Sequence, residues 1–161
     1  TKAIGLLYKQ VRKDSTMSRM GLPDYLLVFR KPGENPEPVT HTHESFPLDQ
    51  WQQWASPVWI DSNQTMTLQY QSARENSDER HIAPLQLDVV ERAILLWSNP
   101  GNTVLDPFGG IGTVGYVALQ NERKAVLIEL KRSYWEAARN NLRSAERHRD
   151  SQLSLYEEAA L

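Results

Sequence analysis

The sequence contains no cysteine. Disulfide bonds, thiolate zinc sites and cysteine nucleophiles are therefore excluded for these 161 residues, and nothing indicates an oxidising compartment. No run approaches the ~18 uninterrupted apolar residues of a membrane-spanning helix, and residues 1–4 lack the pattern of a signal peptide. We expect a soluble, cytoplasmic protein with a single core.

A strong charge of one sign is also missing, since the formal net charge is only −2. The chain is therefore not a polycation that binds nucleic acid by charge alone. Residues 1–31 carry seven basic and two acidic side chains, whereas residues 32–70 carry five acidic ones and no lysine or arginine. This asymmetry allows a basic surface for a phosphate backbone, although short charged runs are usually solvated surface.

The first half of the chain combines regular elements with an irregular insertion. Residues 2–13 have the apolar spacing of an amphipathic helix, and the apolar run 24–30 predicts a buried strand. Residues 32–80 hold five of the nine prolines and three of the five tryptophans. We expect a short helix near 48–54 and a short strand near 57–60 in this insertion.

The second half alternates helices and strands. Helical spacing over 85–98 leads through Asn-Pro-Gly to a strand at 103–106, and a glycine-rich loop then opens a helix over 112–120. The apolar run 124–129 predicts a parallel strand covered on both faces. The pattern Ser-Tyr-Trp-Glu, a capping box, opens a helix over 133–147. The order predicts an α/β fold.

The loop between the two predicted strands has the chemistry of a nucleoside site. Asp106 ends the first strand, where ligands of open α/β sheets bind, and can accept a hydrogen bond from an ammonium group. Gly110 and Gly112 allow a sharp turn and a close backbone approach, and the helix amides at Thr113 favour a carboxylate. Glu129, ending the second strand, lies where a carboxylate bridges two ribose hydroxyls. A glycine pair alone is often structural, but this combination favours a site.

Residues 106–113, Asp-Pro-Phe-Gly-Gly-Ile-Gly-Thr, resemble the S-adenosylmethionine motif Asp-Pro-Phe-x-Gly-x-Gly-Thr of the DNA amino-methyltransferases. The resemblance spans most of residues 1–145 and is nearest to prophage-type members of the permuted β-type subgroup. It implies a partial Rossmann-like methyltransferase fold with a target-recognition insertion. The implied reaction methylates the exocyclic amine of adenine or cytosine in double-stranded DNA, as in restriction-modification, inside a bacterial or phage-infected cell. The implied cofactor contacts in this segment and the next strand are Asp106, Pro107, Phe108, Gly110, Gly112, Thr113 and Glu129.

Two upstream segments extend the resemblance. Residues 81–87, followed by Glu-Arg, resemble the His-Pro-x-Gln-Lys-Pro-Leu segment and helix of the same subgroup, with the proline displaced. Residues 24–31 resemble the strand that precedes its target-recognition region. The first segment implies further cofactor contacts from His81, Pro84, Leu85 and Gln86.

The resemblance also implies a domain division. Residues 1–31 supply a helix and a strand of the methyltransferase core, and residues 32–80 are the target-recognition insertion. Residues 81–148 form the S-adenosylmethionine-binding half, and residues 149–161 are a tail expected to fray.

The acceptor motif of the family, Asp/Ser/Asn-Pro-Pro-aromatic, has no counterpart here, because the sequence contains no Pro-Pro pair. Residues 56–59, Ser-Pro-Val-Trp, come near it but stand only about 25 residues before His81, too close for a recognition region to intervene. We interpret them as the short strand. Catalytic residues therefore stay unassigned, and we expect these 161 residues to be inactive alone although the parent enzyme turns over.

Three other functions stay open. Residues 110–115 satisfy the dinucleotide pattern Gly-x-Gly-x-x-Gly, which keeps an NAD oxidoreductase as a rival. A methyltransferase of RNA or small molecules and a non-catalytic DNA-binding or assembly fragment are the others. The target base, the recognition sequence and the oligomeric state are not determined by the sequence.

Several conspicuous side chains have ordinary structural explanations. His41 and His43 lack convergent ligands, so we expect no metal site. Trp51, Trp54 and Trp59 could stack on bases, but a small core in the insertion is the favoured interpretation.

Overall fold

The computed structural model describes only part of the chain, namely residues 12–13, 24–69, 73 and 83–159, with the backbone alone for 151–159. The chain divides into two compact units, residues 1–38 and residues 39–161. The helix predicted over 2–13 lies outside the described residues except for residues 12–13, which are helical. No helix in the described stretches is long and apolar enough to cross a membrane.

Residues 24–38, which belong to the first unit, are extended and irregular. The buried strand predicted over residues 24–30 is wrong, because the apolar side chains from Tyr25 to Phe29 are all at least 53% exposed. None of the backbone hydrogen bonds among the described residues pairs this segment with a strand. A turn follows as predicted, in which Arg30 donates to the Gly33 carbonyl oxygen at 3.5 Å.

The second unit is built around two parallel strands, β1 (Thr103–Asp106) and β2 (Lys124–Leu127), joined by a glycine-rich loop and a helix. Their register pairs Thr103 with Lys124 and Asp106 with Leu127. β1 has the predicted bounds. β2 ends two residues earlier than predicted, because its partner strand also ends there.

Four helices complete the described part of this unit, and the third of them is central. It packs against both strands, the second helix and the fourth helix. The buried core lies between it and the second helix and includes Val90, Ile94, Val117 and Ala118. The helices are α1 (Leu48–Trp54), α2 (Leu87–Trp97), α3 (Thr113–Gln120) and α4 (Arg132–Ala159).

Among the described residues, each of the two strands is covered on one face only, so the prediction of burial on both faces for residues 124–129 is wrong. Val104 and Ala125 face α3 and pack on the core. Leu105, Val126 and Ile128 are at least half exposed. The prediction fails because, among the described residues, no element packs on this second face.

Two further local predictions are wrong. The helix α4 begins at Arg132, so Ser133 is inside it and is not the N-cap of a capping box; its buried hydroxyl has no hydrogen-bond partner among the described residues. The helix also continues to Ala159 instead of ending near residue 147. In the insertion, α1 has its predicted bounds, but residues 57–60 form no strand because the Ser56 side chain bonds the Val58 backbone and turns the chain.

A buried arginine joins the carboxyl ends of α2 and α3. Arg123 is 5% exposed and donates to the Ser98 hydroxyl, the Ser98 carbonyl and the Asn121 carbonyl. Helix ends leave carbonyls without intrahelical partners, and a cation there also complements the helix dipole. Arg123 therefore donates to the carbonyls of the residues that follow both helices and provides there a cation that neither helix has in its own last turn.

His41 makes the stability of this unit depend on pH. Burial, and then the positive charge of Arg123, lower the pKa of His41 below its ordinary 6.5. Its ring packs edge-on against Phe46 at 4.8 Å. The unfolded chain therefore takes up a proton near pH 6.5 that the folded chain binds only at lower pH, so stability is full above 6.5 and falls as the pH drops below it. We expect the urea midpoint to decrease between about pH 7.5 and 5.5.

The control is a pair of glutamine substitutions in the same loop. His41→Gln should flatten this pH dependence, whereas His43→Gln, at an exposed position, should retain it. Equal slopes in wild type and His41→Gln, measured by urea unfolding across that pH range, would show that another group is responsible.

Candidate functional site

The loop between β1 and α3 is held in part by hydrogen bonds among its own residues. The Asp106 carboxylate accepts a hydrogen bond from the Phe108 amide at 3.0 Å, and the Gly112 amide donates to the Gly109 carbonyl at 2.7 Å. Gly110 and Gly112 have φ values of 53° and 86°, in the left-handed region that side chains with a Cβ avoid. The two glycines are therefore required by the turn itself.

Close packing beneath the loop adds a second requirement for glycine. A Cβ on Gly112 would lie 2.9 Å from Leu142 and 3.1 Å from Ala138, both on α4. The Asn141 side chain, on the same helix, donates to the Ile111 carbonyl at 2.8 Å. The helix α4 therefore supports the loop from below and leaves its other side open.

Glu129 connects the second strand to the loop. One carboxylate oxygen accepts a hydrogen bond from the Gly110 amide and the other from the Lys131 amide, both at 2.8 Å. The Gly109 amide donates to the Ile128 carbonyl at 2.8 Å, beside the same carboxylate. The acidic residues predicted to end the two strands therefore both bind amides of one loop, and each Glu129 oxygen keeps a further lone pair.

An open groove of about 190 Å³ lies against this loop. Six of the eleven predicted cofactor residues line it, from both the loop and the segment before α2. The groove is bounded by a carboxylate, an aromatic ring and the first residues of α3, whose N-cap, Gly112, supplies no side-chain acceptor. It therefore combines apolar walls with helix amides suited to an anionic group. The six predicted residues that line it are Pro84, Leu85, Asp106, Phe108, Gly110 and Thr113.

The other predicted residues lie elsewhere. Gln86 is the N-cap residue of α2, Pro107 is exposed, and Gly112 is buried against α4. Glu129 supports the groove through the Gly110 amide without lining it in this structure. His81 lies outside the described residues.

Five lining residues were missed by the sequence reasoning, and Tyr134 is the most informative of them. The Lys131 ammonium lies 4.4 Å from the centre of its ring. A usable signal was present, because the first turn of a helix that follows a parallel strand returns to the carboxyl edge of the sheet. The missed residues are Ala83, Gly109, Ile111, Val114 and Tyr134.

The near match to an acceptor motif at residues 56–59 does not reach the groove. The Ser56 hydroxyl donates to the Val58 carbonyl at 3.1 Å within its own turn. The Trp59 indole donates to the Trp54 carbonyl at 2.8 Å, so both tryptophans belong to the packing of the insertion. Trp51 remains 45% exposed. Trp54 and Trp59 therefore pack within the insertion as predicted, although both are half-buried and not fully enclosed.

Comparisons with known proteins agree on one family. A family model described as DNA methylase matches residues 8–140. The type II methyltransferase M.BglI of Bacillus subtilis is 31% identical over 120 residues, which cover 74% of this chain and 30% of that protein. The type II methyltransferase M.Cfr9I of Citrobacter freundii is 44% identical over 62 residues, 38% of this chain and 21% of that protein.

A solved structure shows the same fold. A Thermus thermophilus protein, described as a putative DNA modification methylase and solved with S-adenosyl-L-methionine, superposes with a TM-score of 0.55 at 24% identity. The match covers 77% of this chain and 48% of that one. The predicted Rossmann-like α/β class is thereby confirmed. The chain spans less than a third of the length of the curated relatives named here.

Proposed function

Because the chain belongs to the DNA methylase family, whose model covers residues 8–140, we propose that its groove binds S-adenosylmethionine for methyl transfer to an exocyclic amine of adenine or cytosine in DNA. The observation that carries the proposal is the Glu129 carboxylate bound to the Gly110 amide at 2.8 Å. This bond joins the segment just after β2 to the glycine turn that borders the open groove.

The residues of the site fit the chemical groups of this cofactor. Asp106, at the carboxyl end of β1, is a hydrogen-bond acceptor for an ammonium group, and the amides at the start of α3 suit a carboxylate. The free lone pairs of Glu129 suit a pair of ribose hydroxyls. Phe108, which is 88% exposed beside the groove, offers an apolar surface for a ring. The remaining proposed contacts are Pro84, Leu85, Gln86, Pro107, Gly110, Gly112, Thr113 and His81.

The work of the protein in this reaction is alignment. The bound cofactor supplies an activated methyl group, and the chain's own residues orient the donor and exclude water around it. The target base must leave the duplex stack to present its amine to the donor. With no Pro-Pro pair in the sequence, we assign no catalytic residue to the acceptor side.

The wider assignments are proposals as well. Double-stranded DNA is the proposed partner, with residues 32–80 as the target-recognition insertion between a core segment at 1–31 and the cofactor half at 81–148. Residues 149–161 are the tail. The proposed location is the cytoplasm of a bacterial or phage-infected cell, in a restriction-modification or prophage context.

Calorimetric titration of the chain tests the proposed cofactor. We expect S-adenosylmethionine and S-adenosylhomocysteine to bind at one site and NAD not to bind. NAD is included in the titration because Gly115 packs as the third glycine of the dinucleotide pattern does, closely against a strand. A Cβ on Gly115 would lie 2.6 Å from the Leu127 side chain of β2. Binding of NAD alone would overturn the proposal, and no binding of any of the three would favour an assembly fragment.

A further inference from the structure

A buried arginine attaches the insertion to α2. The Arg92 side chain is 7% exposed and forms two hydrogen bonds to the Asp61 carboxylate, at 2.8 and 2.9 Å. Its guanidinium lies 5.7 and 5.4 Å from the ring centroids of Trp54 and Trp59. A bidentate carboxylate and two aromatic faces offset the desolvation of a buried cation. Every one of these partners comes from the insertion.

The charge state of this pair favours a permanent attachment. The hydrogen bond from Arg92 lowers the pKa of the Asp61 carboxyl, and the hydrogen bond to Asp61 raises the pKa of the Arg92 guanidinium. Both groups therefore remain ionised at neutral pH. A further hydrogen bond reinforces the arrangement, since the side-chain amide of Gln53 donates to Asp61 at 3.0 Å.

The insertion also completes the first turn of α2. The N-cap residue Gln86 makes no side-chain hydrogen bond to this turn. Instead, the Leu87 amide donates to the Met66 carbonyl of the insertion at 2.8 Å, and the Asp88 carboxylate accepts from the Asn63 amide at 2.7 Å. A helix start normally satisfies its amides through its own cap, whereas here the first amide of α2 finds its acceptor in the insertion. We call these contacts the insertion–α2 interface, formed by Asp61, Asn63, Met66, Leu87, Asp88 and Arg92.

The start of α2 is continuous with the groove. Ala83, Pro84 and Leu85 line the groove and directly precede the helix and its N-cap residue. We propose that the insertion–α2 interface positions this wall, so that Asp61 and Arg92 are positioning residues for cofactor binding and the insertion and the groove are coupled. The proposal rests on the proposed function of the groove and extends it to a link between the recognition insertion and the donor site.

Coupling of this kind works in both directions. If attachment of the insertion strengthens cofactor binding, cofactor binding must stabilise the attachment by the same factor. Neither Asp61 nor Arg92 lines the groove, so an effect of their removal on affinity cannot come from a lost direct contact. Stabilisation of the interface by the bound cofactor distinguishes a positioning role from a purely structural one. A purely structural role would change the stability of the chain without changing its affinity for the cofactor.

The first experiment measures affinity for S-adenosylmethionine in Asp61→Ala, at a temperature where circular dichroism shows the chain folded. We expect Kd to rise roughly tenfold, within the range usual for coupled sites. Asp49→Ala, at an exposed position on α1, is the matched control and should stay within about twofold of wild type. The double variant Asp61→Ala/Arg92→Met removes the unpaired buried cation and should show the same loss while folding more readily.

The second experiment uses the unaltered chain. Hydrogen exchange of the Asn63 and Leu87 amides, which cross the interface, should slow on addition of saturating S-adenosylmethionine, and Asp61→Ala should lose this slowing. Unchanged exchange in wild type, or wild-type affinity in a folded interface variant, would overturn the coupling while leaving the groove's function intact. Failure of wild type to bind the cofactor at all would instead overturn the proposed function.

Discussion

Replacing Gly112 with alanine is expected to destabilise the second unit by about 2–5 kcal/mol and to abolish measurable cofactor binding. Two costs add at this position. The residue has a φ of 86°, and a Cβ would lie 2.9 Å from Leu142 and 3.1 Å from the Ala138 backbone. Because the Ala138 backbone cannot move without shifting α4, the loop must yield, and the loop forms the groove. Urea unfolding and calorimetric titration with S-adenosylmethionine measure the two effects.

Gly101 provides a matched control that isolates the energetic cost of placing alanine at a positive φ. Its φ of 80° is nearly that of Gly112, but a Cβ there would meet nothing within 4 Å. Gly101→Ala should therefore cost only about 1–2 kcal/mol and leave cofactor affinity unchanged. If Gly112→Ala were no more destabilising than Gly101→Ala, the close contact with α4 would not be a constraint on the loop.

The glycine loop was predictable because its determinants are local in sequence. Asp106 and the positive-φ glycines stand within seven residues, and the flanking strand and helix have clear apolar patterns. The family motif and the hydrogen bond from Gly110 to Glu129 concern the same few residues. Sequence reasoning therefore placed the parts of this site that depend on neighbours in the chain.

Features that depend on distant partners were missed. Arg92 and Asp61 are 31 positions apart, and an arginine on an amphipathic helix ordinarily indicates exposed surface, yet Arg92 is 6% exposed. The prediction for the apolar run from Tyr25 to Phe29 failed in the opposite direction, because these side chains are exposed and no backbone hydrogen bond among the described residues pairs the run with a strand. A local sequence pattern indicates which secondary structure a segment favours, whereas the burial of that segment depends on which other elements pack against it.

The exposed sheet face illustrates the same limit in the second unit. A continuous apolar strand indicates burial on both faces in a complete parallel sheet. Here Leu105 and Val126 remain exposed while Val104 and Ala125 pack on the core. The apolar pattern identifies the strand correctly, but the number of layers cannot be obtained from the strand alone.

Glu129→Gln should reduce affinity for S-adenosylmethionine by about 10- to 100-fold, which corresponds to the loss of roughly one charged hydrogen bond. Both carboxylate oxygens accept backbone amides, one from Gly110 and one from Lys131. A glutamine can satisfy one of them with its carbonyl, but its NH₂ group must then face the other N–H donor in either orientation. The loop is displaced, and an acceptor proposed for the ribose is lost.

Glu136→Gln is the matched control for this prediction. Glu136 lies on the exposed surface of α4 and receives a hydrogen bond from Arg132 at 3.0 Å, an i,i+4 pair worth only about 0.3–0.5 kcal/mol. Titration should therefore find wild-type affinity in Glu136→Gln. If Glu129→Gln also bound with wild-type affinity, the Glu129 carboxylate would not be part of the binding site. The isosteric amide would then serve equally well, and neither the hydrogen bond from Gly110 nor a ribose contact would require the negative charge.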